Sequence, residues 1–208
     1  MRRSLIGVAV LALALPGCSA NEPSAPSPAA PFASGPPPVT TGLGGAPPPA
    51  GSLDGKRQVF FLPRMNETDL PDSVLAVTGG GRVQVTDDYD EHSLFVPTPK
   101  GGGAPERLIK TAKLRAGGKP LCLQVDSPGS GVPAVVTAVC NPKVAAQLFT
   151  FDVTGEDGEG STTYTVRNRD AFLQWHPLGG TGLVAEKIDG SRPETTFTLL
   201  DQGASALP

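Results

Sequence analysis

Cys122-Leu123-Gln124-Val125, Val135-Val136-Thr137-Ala138-Val139 and Gln147-Leu148-Phe149-Thr150-Phe151 are three short apolar runs within one stretch of the chain. Turn-forming residues separate them, and this is the pattern of β-strands. Similar triplets occur on both sides at a spacing of about fifty residues, a period typical of repeated supersecondary units. Upstream, Val74-Leu75-Ala76-Val77 precedes Arg82-Val83-Gln84-Val85 and Ser93-Leu94-Phe95-Val96. Downstream, Phe172-Leu173-Gln174-Trp175 precedes Leu183-Val184-Ala185-Glu186 and Thr195-Thr196-Phe197-Thr198-Leu199. A leading strand is expected before each triplet, near Val59 to Met65, Leu108 to Leu114 and Tyr164 to Arg167. Three units of four strands result. No unit can bury its apolar face alone, so the three must pack on one another.

Composition agrees with an all-β reading. The 208 residues include 26 Gly and 23 Pro, too many for a mostly helical chain. Aromatic residues make up 5% and charged residues 18%. With 17 basic and 20 acidic residues the net charge is −3, which provides no electrostatic footprint for nucleic acid.

The N-terminus reads Met1-Arg2-Arg3, an apolar run from Leu5 to Leu15, then Pro16-Gly17-Cys18. A basic start, an apolar stretch and a small residue before the cut describe a secretory signal peptide over 1–17. The run falls well short of the ~20 residues that span a bilayer. Leu15-Pro16-Gly17-Cys18 resembles a bacterial lipobox, which implies cleavage before Cys18 and lipid on its thiol. An ordinary signal peptide with an incidental cysteine is the alternative. Two or more acyl chains anchor stably where one does not, so the resemblance implies a tethered protein on the extracytoplasmic face of a bacterial membrane.

Residues 18–55 are read as a linker of Ala, Pro, Ser and Gly, including Pro36-Pro37-Pro38 and Pro47-Pro48-Pro49. Such a stretch buries too little to offset its ordering entropy. From Ser19 it would reach about 110 Å as polyproline, or roughly 30 Å as a coil. The folded domain is expected over 56–203, with a tail at 204–208.

Assigning Cys18 to lipid leaves Cys122 and Cys140. In an exported chain an even pair is most simply a disulfide, contributing about 3 kcal/mol by loop closure. Two unpaired thiols are the alternative.

Three four-stranded repeats of this length resemble the β-trefoil, a closed six-stranded barrel capped by three hairpins. The middle unit resembles a ricin-type lectin repeat more closely, through Cys122-Leu123, Cys140 and Gln147-Leu148-Phe149. There Phe149 stands where that family has Trp. The alternative architecture is a β-sandwich with fortuitous repetition. Barrel closure removes strand edges, and the domain is expected to be monomeric.

The resemblance implies sugar binding through a carboxylate after Cys-Leu, an aromatic two residues before the second Cys, and an Asn beside Gln-x-Trp. These positions hold Gln124, Ala138 and Ala146 in the middle unit. They hold Gln174, Glu186 and Glu194 in the third unit, and Ala76, Gln84 and His92 in the first. No unit keeps the stacking aromatic. Gln147 matches the family, with a backbone-bonding role as its simpler reading.

The candidate ligand-binding residues are Tyr89, His92, Gln147, Gln174 and His176. Trp175 shares a strand face with Leu173 and is expected in the core, while His176 is expected to be exposed. Asp87-Asp88-Tyr89-Asp90-Glu91-His92 is dense in oxygen ligands that could hold Ca²⁺. It lacks the glycine and alternate spacing of a calcium loop, so it is read as a solvated connection, and no metal or other cofactor is assigned. Asn66-Glu67-Thr68 is a chance glycosylation sequon on a bacterial reading.

Motifs for enzymes are missing. Pro128-Gly129-Ser130-Gly131 lacks the leading glycine of a nucleophile elbow. Gly117-Gly118-Lys119-Pro120 lacks the spacing and the Ser/Thr of a phosphate loop. The expectation is a lipid-anchored, non-catalytic glycan-binding module. Its alternatives are a protein-interaction scaffold with an envelope protein as partner and, more weakly, a hydrolase using loop carboxylates.

Overall fold

A computed structural model describes residues 51–65, 73–114, 117–127, 129, 131–177 and 182–207. The signal peptide, Cys18, the linker up to residue 50 and the Asn66 sequon lie outside the described residues. Among the described residues no helix is long and apolar enough to cross a membrane.

The first unit comprises β1 (Arg57–Met65), β2 (Val74–Val77), β3 (Val83–Thr86) and β4 (Phe95–Pro99). The second comprises β5 (Arg107–Thr111), β6 (Leu121–Asp126), β7 (Ala134–Val139) and β8 (Thr150–Glu156). The third comprises β9 (Thr162–Asn168), β10 (Ala171–Trp175), β11 (Leu183–Lys187) and β12 (Thr195–Ala204).

The first and last strands of each unit close a ring. β1 pairs with β4, β4 with β5, β8 with β9, β9 with β12, and β12 with β1. The remaining step, β5 to β8, is an antiparallel bridge between Arg107 and Phe149, with N–H···O distances of 2.8 and 2.9 Å. The middle strands form three hairpins, β2–β3, β6–β7 and β10–β11. Bridges Arg82↔Val136, Val184↔Ala134 and Gln84↔Gly182 join the hairpins pairwise into a cap. A closed ring of six strands under three linked hairpins is a β-trefoil, and the ring excludes two stacked sheets.

The core repeats with the strands. Phe95, Phe149 and Phe197 occupy equivalent positions and are fully buried. So are Leu75, Leu123 and Leu173 from the first strands of the hairpins, and Val83, Val135 and Leu183 from the second. Alternation with period two sends these side chains inward. Phe61 breaks the symmetry and stacks edge-on against Phe95 at 5.6 Å. Burying an aromatic or aliphatic side chain contributes about 1.5–3 kcal/mol, so this triplicated set is the main source of stability.

Two details differ from the sequence reading. The second unit's last strand begins at Thr150, because Ala145–Gln147 form a 3₁₀ turn. Residues 51–55, read as the end of the linker, form turns in which Leu53 packs on the core and its carbonyl accepts from Arg107 at 2.9 Å. The domain ends are joined by Arg57, whose guanidinium engages Asp201 at 2.8 Å, and by Ser205 N–H donating to Lys56 O.

Gly81 is a glycine for a reason. Its φ is +77°, and a Cβ there would lie 3.0 Å from the Thr137 hydroxyl. Its carbonyl accepts the Thr137 N–H at 2.7 Å, helping to fasten the first hairpin to the second.

Candidate functional site

The β2–β3 register places Ala76 opposite Gln84 and Val74 opposite Thr86. The loop after β3 then folds back beside this hairpin, because Val77 N–H donates to His92 O at 3.0 Å. Together they enclose a groove of about 300 Å³ whose polar lining includes Gln84, Thr86, Asp88, Asp90 and His92. That volume is at the small end for a ligand pocket.

The acidic run is organised within itself. Asp88 N–H donates to Thr86 Oγ1 at 3.1 Å, and His92 N–H donates to Asp90 Oδ1 at 2.7 Å. Buried Ser93 donates to Asp88 O at 2.9 Å. His92 Nδ1 lies 3.1 Å from Asp90 Oδ2, and its Nε2 lies 2.8 Å from Lys113 Nζ. An ammonium only donates, so Nε2 is the acceptor and Nδ1 carries the proton given to Asp90. Lys113 also pairs with Glu91. The hydrogen bond from the His92 ring, aided by the His92 backbone N–H, holds the Asp90 carboxyl below the usual aspartate value. The groove thus presents an ionised carboxylate with a fixed orientation.

Tyr89 is placed differently. It is partly exposed, and its ring packs edge-on against Phe60 at 5.1 Å, outside the residues that line the groove.

In the second unit the equivalent position is closed internally. Gln147 is 1% exposed; its amide donates to Gln124 Oε1 and Val139 O, both at 2.9 Å, and its carbonyl accepts Asn141 N–H at 2.7 Å. In the third unit Gln174 is equally buried, accepts from Glu194 and Thr195 N–H at 3.0 and 3.1 Å, and donates to Leu173 O. Trp175 is buried beside it. His176 is half-buried, with Nε2 3.0 Å from Glu186 Oε2.

Of the five nominated residues, the groove contains His92, while Gln147 and Gln174 hold hairpins to the strands that follow. Gln84 and Asp90 were visible in the sequence as positions. Lys113 was missed, because only pairing of β4 with β5 brings it beside His92.

Cys122 and Cys140 form a disulfide across the second hairpin, with Cα atoms 4.9 Å apart. Among the described residues no group of three or more His, Cys, Asp or Glu side chains is arranged to hold a metal.

No protein-family model and no curated protein matches the chain. Solved structures do resemble it in fold. A chain of the PSL1a–E64 complex superposes with a TM-score of 0.50 at 12% identity, over 71% of this chain and 48% of that one. This chain therefore spans about half the length of that protein. The designed threefold-symmetric protein ThreeFoil gives 0.49 at 13% identity, over 69% and 98% of the two chains. The Polyporus squamosus lectin bound to a human-type influenza-binding epitope gives 0.48 at 12%, over 71% and 50%. At these identities the likeness concerns the fold, which the strand pairing establishes independently as a β-trefoil.

Proposed function

We propose that this chain is a non-catalytic glycan-binding module, carried on a Pro-rich stalk from a lipid-anchored Cys18 on the outer face of a bacterial membrane. The observation that carries the binding reading is the first-unit groove. Its Gln84 amide and Asp90 carboxylate suit sugar hydroxyls, which are satisfied by paired amide and charged partners. The same position in the second unit is occupied by the Gln147–Gln124 bond. Binding is therefore assigned to the first unit, where His92 orients the Asp90 carboxylate. The missing stacking aromatic points to weak, polar recognition, since aromatic contact supplies much of the area in such sites.

Glycan-array screening of the purified full-length protein tests this reading. Binding is expected to fall in Gln84→Ala and Asp90→Ala and to persist in His176→Ala. A blank array together with a protein captured by crosslinking would instead support an interaction scaffold. Mass spectrometry of the mature protein tests the anchor: an unmodified Cys18 would overturn it.

A further inference from the structure

Outside the hairpin cap, the barrel wall carries a second cavity of about 710 Å³, more than twice the volume of the first-unit groove. Strands β1, β8, β9 and β12 and the β8–β9 turn supply most of its lining. Its charged groups are unevenly satisfied. Arg64 Nε is buried and has no hydrogen-bond partner. The Asp157 carboxylate is 3.9 Å away, too far for a hydrogen bond. That carboxylate is committed elsewhere: Oδ1 accepts Glu159 and Ser161 N–H at 3.0 and 2.8 Å, and Oδ2 accepts the Thr198 hydroxyl at 3.1 Å. Arg192, exposed at the edge of the cavity, has no ion pair among the described residues. Neither do Glu156 at the end of β8 and Glu159 on the turn.

A buried donor without an acceptor is destabilising unless a ligand or water supplies one. Two guanidinium groups, each a planar fork, suit a carboxylate. The two unpaired glutamates nearby would repel a polyanion, yet they accept hydrogen bonds from hydroxyl groups well. Val153, 68% exposed, and Met65 add apolar surface against which a sugar's C–H face can rest. The volume lies within the range for a small organic ligand and well above that of a bare ion.

We propose that this cavity binds a sugar acid of the hexuronate class, a single carboxylate on a frame of hydroxyls. The carboxylate seats on Arg64 and Arg192, and the hydroxyls face Glu156 and Glu159. This site is separate from the first-unit groove and does not depend on it.

Titration calorimetry on the full-length protein provides the test, with glucuronate as probe and glucose and acetate as controls. Glucuronate should bind saturably, and glucose and acetate should bind far more weakly. Arg192→Ala, at an exposed position, should weaken glucuronate about tenfold or more, the size of one charged hydrogen bond. Arg64→Lys keeps the positive charge but removes the Nε donor, and should weaken it similarly. Gln84→Ala should leave it unchanged, which separates this site from the glycan groove. Absence of glucuronate binding, or binding indifferent to Arg192→Ala, would overturn the proposal. Equal binding of glucose would overturn the carboxylate's role, and equal binding of acetate that of the hydroxyls.

Discussion

Gln147 Nε2 donates to Gln124 Oε1 at 2.9 Å, joining the turn before β8 to the middle of β6. The bond ties up a residue at the position where the lectin resemblance puts its sugar-binding carboxylate. The other two units fill the position of Gln147 differently, with Ser93 and Thr195, both fully buried. Gln147 and Thr195 each fasten a hairpin to the strand that follows it, Thr195 through the Trp175 backbone, whereas Ser93 bonds Asp88 O within the β3–β4 connection.

Replacing Gln147 with Ala would leave the Asn141 N–H, the Val139 carbonyl and the Gln124 carbonyl without their partner. Each buried polar group so stranded costs about 1–3 kcal/mol, less where water reaches it. Gln147→Ala is expected to lower unfolding free energy by roughly 2 kcal/mol in urea titration while glycan binding persists. Loss of glycan binding with unchanged stability would contradict the assignment.

The three buried phenylalanines should act as equivalents. Phe95→Ala, Phe149→Ala and Phe197→Ala are each expected to cost about 3–5 kcal/mol, the usual range for emptying a core aromatic site. A variant at any of the three sites that is nearly neutral by chemical denaturation would show that its phenyl ring does not fill the barrel.

Reduction of the Cys122–Cys140 disulfide releases a closed loop containing all of the β6–β7 hairpin except Leu121. The expected loss is about 3 kcal/mol from chain entropy. The Cys122→Ala/Cys140→Ala double variant should show a comparable drop in melting temperature, insensitive to added reductant. A reductant-sensitive melt in that variant would refute the assignment of the effect to this bond.

Asp90 gives a pH dependence with a definite sign. Its carboxyl is held below the ordinary aspartate value of 3.8 by the His92 ring and backbone N–H. A depressed folded-state pKa contributes stability that is present above the unfolded value and is lost as pH falls through the folded one. Carboxyl-carbon NMR should show Asp90 titrating below 3.8, and His92→Ala should move its midpoint upward. A midpoint unchanged by His92→Ala would remove His92 as the cause.

The Arg192→Ala variant should be as stable as the parent chain, because its side chain makes no ion pair among the described residues. Surface changes of this kind stay within about 0.5 kcal/mol. A larger loss in thermal or urea unfolding would mean that Arg192 supports the fold itself.

The triplicate pattern was legible in the chain because burial imposes a local signature. Leu75, Leu123 and Leu173, like the three phenylalanines, recur wherever a strand must send a side chain inward, and Gly and Pro mark where strands stop. The Cys122–Cys140 pair was legible by counting. Gln174 was not: alternation along β10 faces it away from Leu173 and Trp175, yet it is buried because the segment leading into β12 covers it. Lys113 beside His92, and Arg64 and Arg192 on one cavity, are likewise brought together only when the ring closes. Strand identity follows from the solvent's preference along a few neighbouring residues, a property written in sequence order. Which polar groups meet, and which remain unpaired, depends on contacts between strands far apart in the chain, and that was decided by the tertiary structure alone.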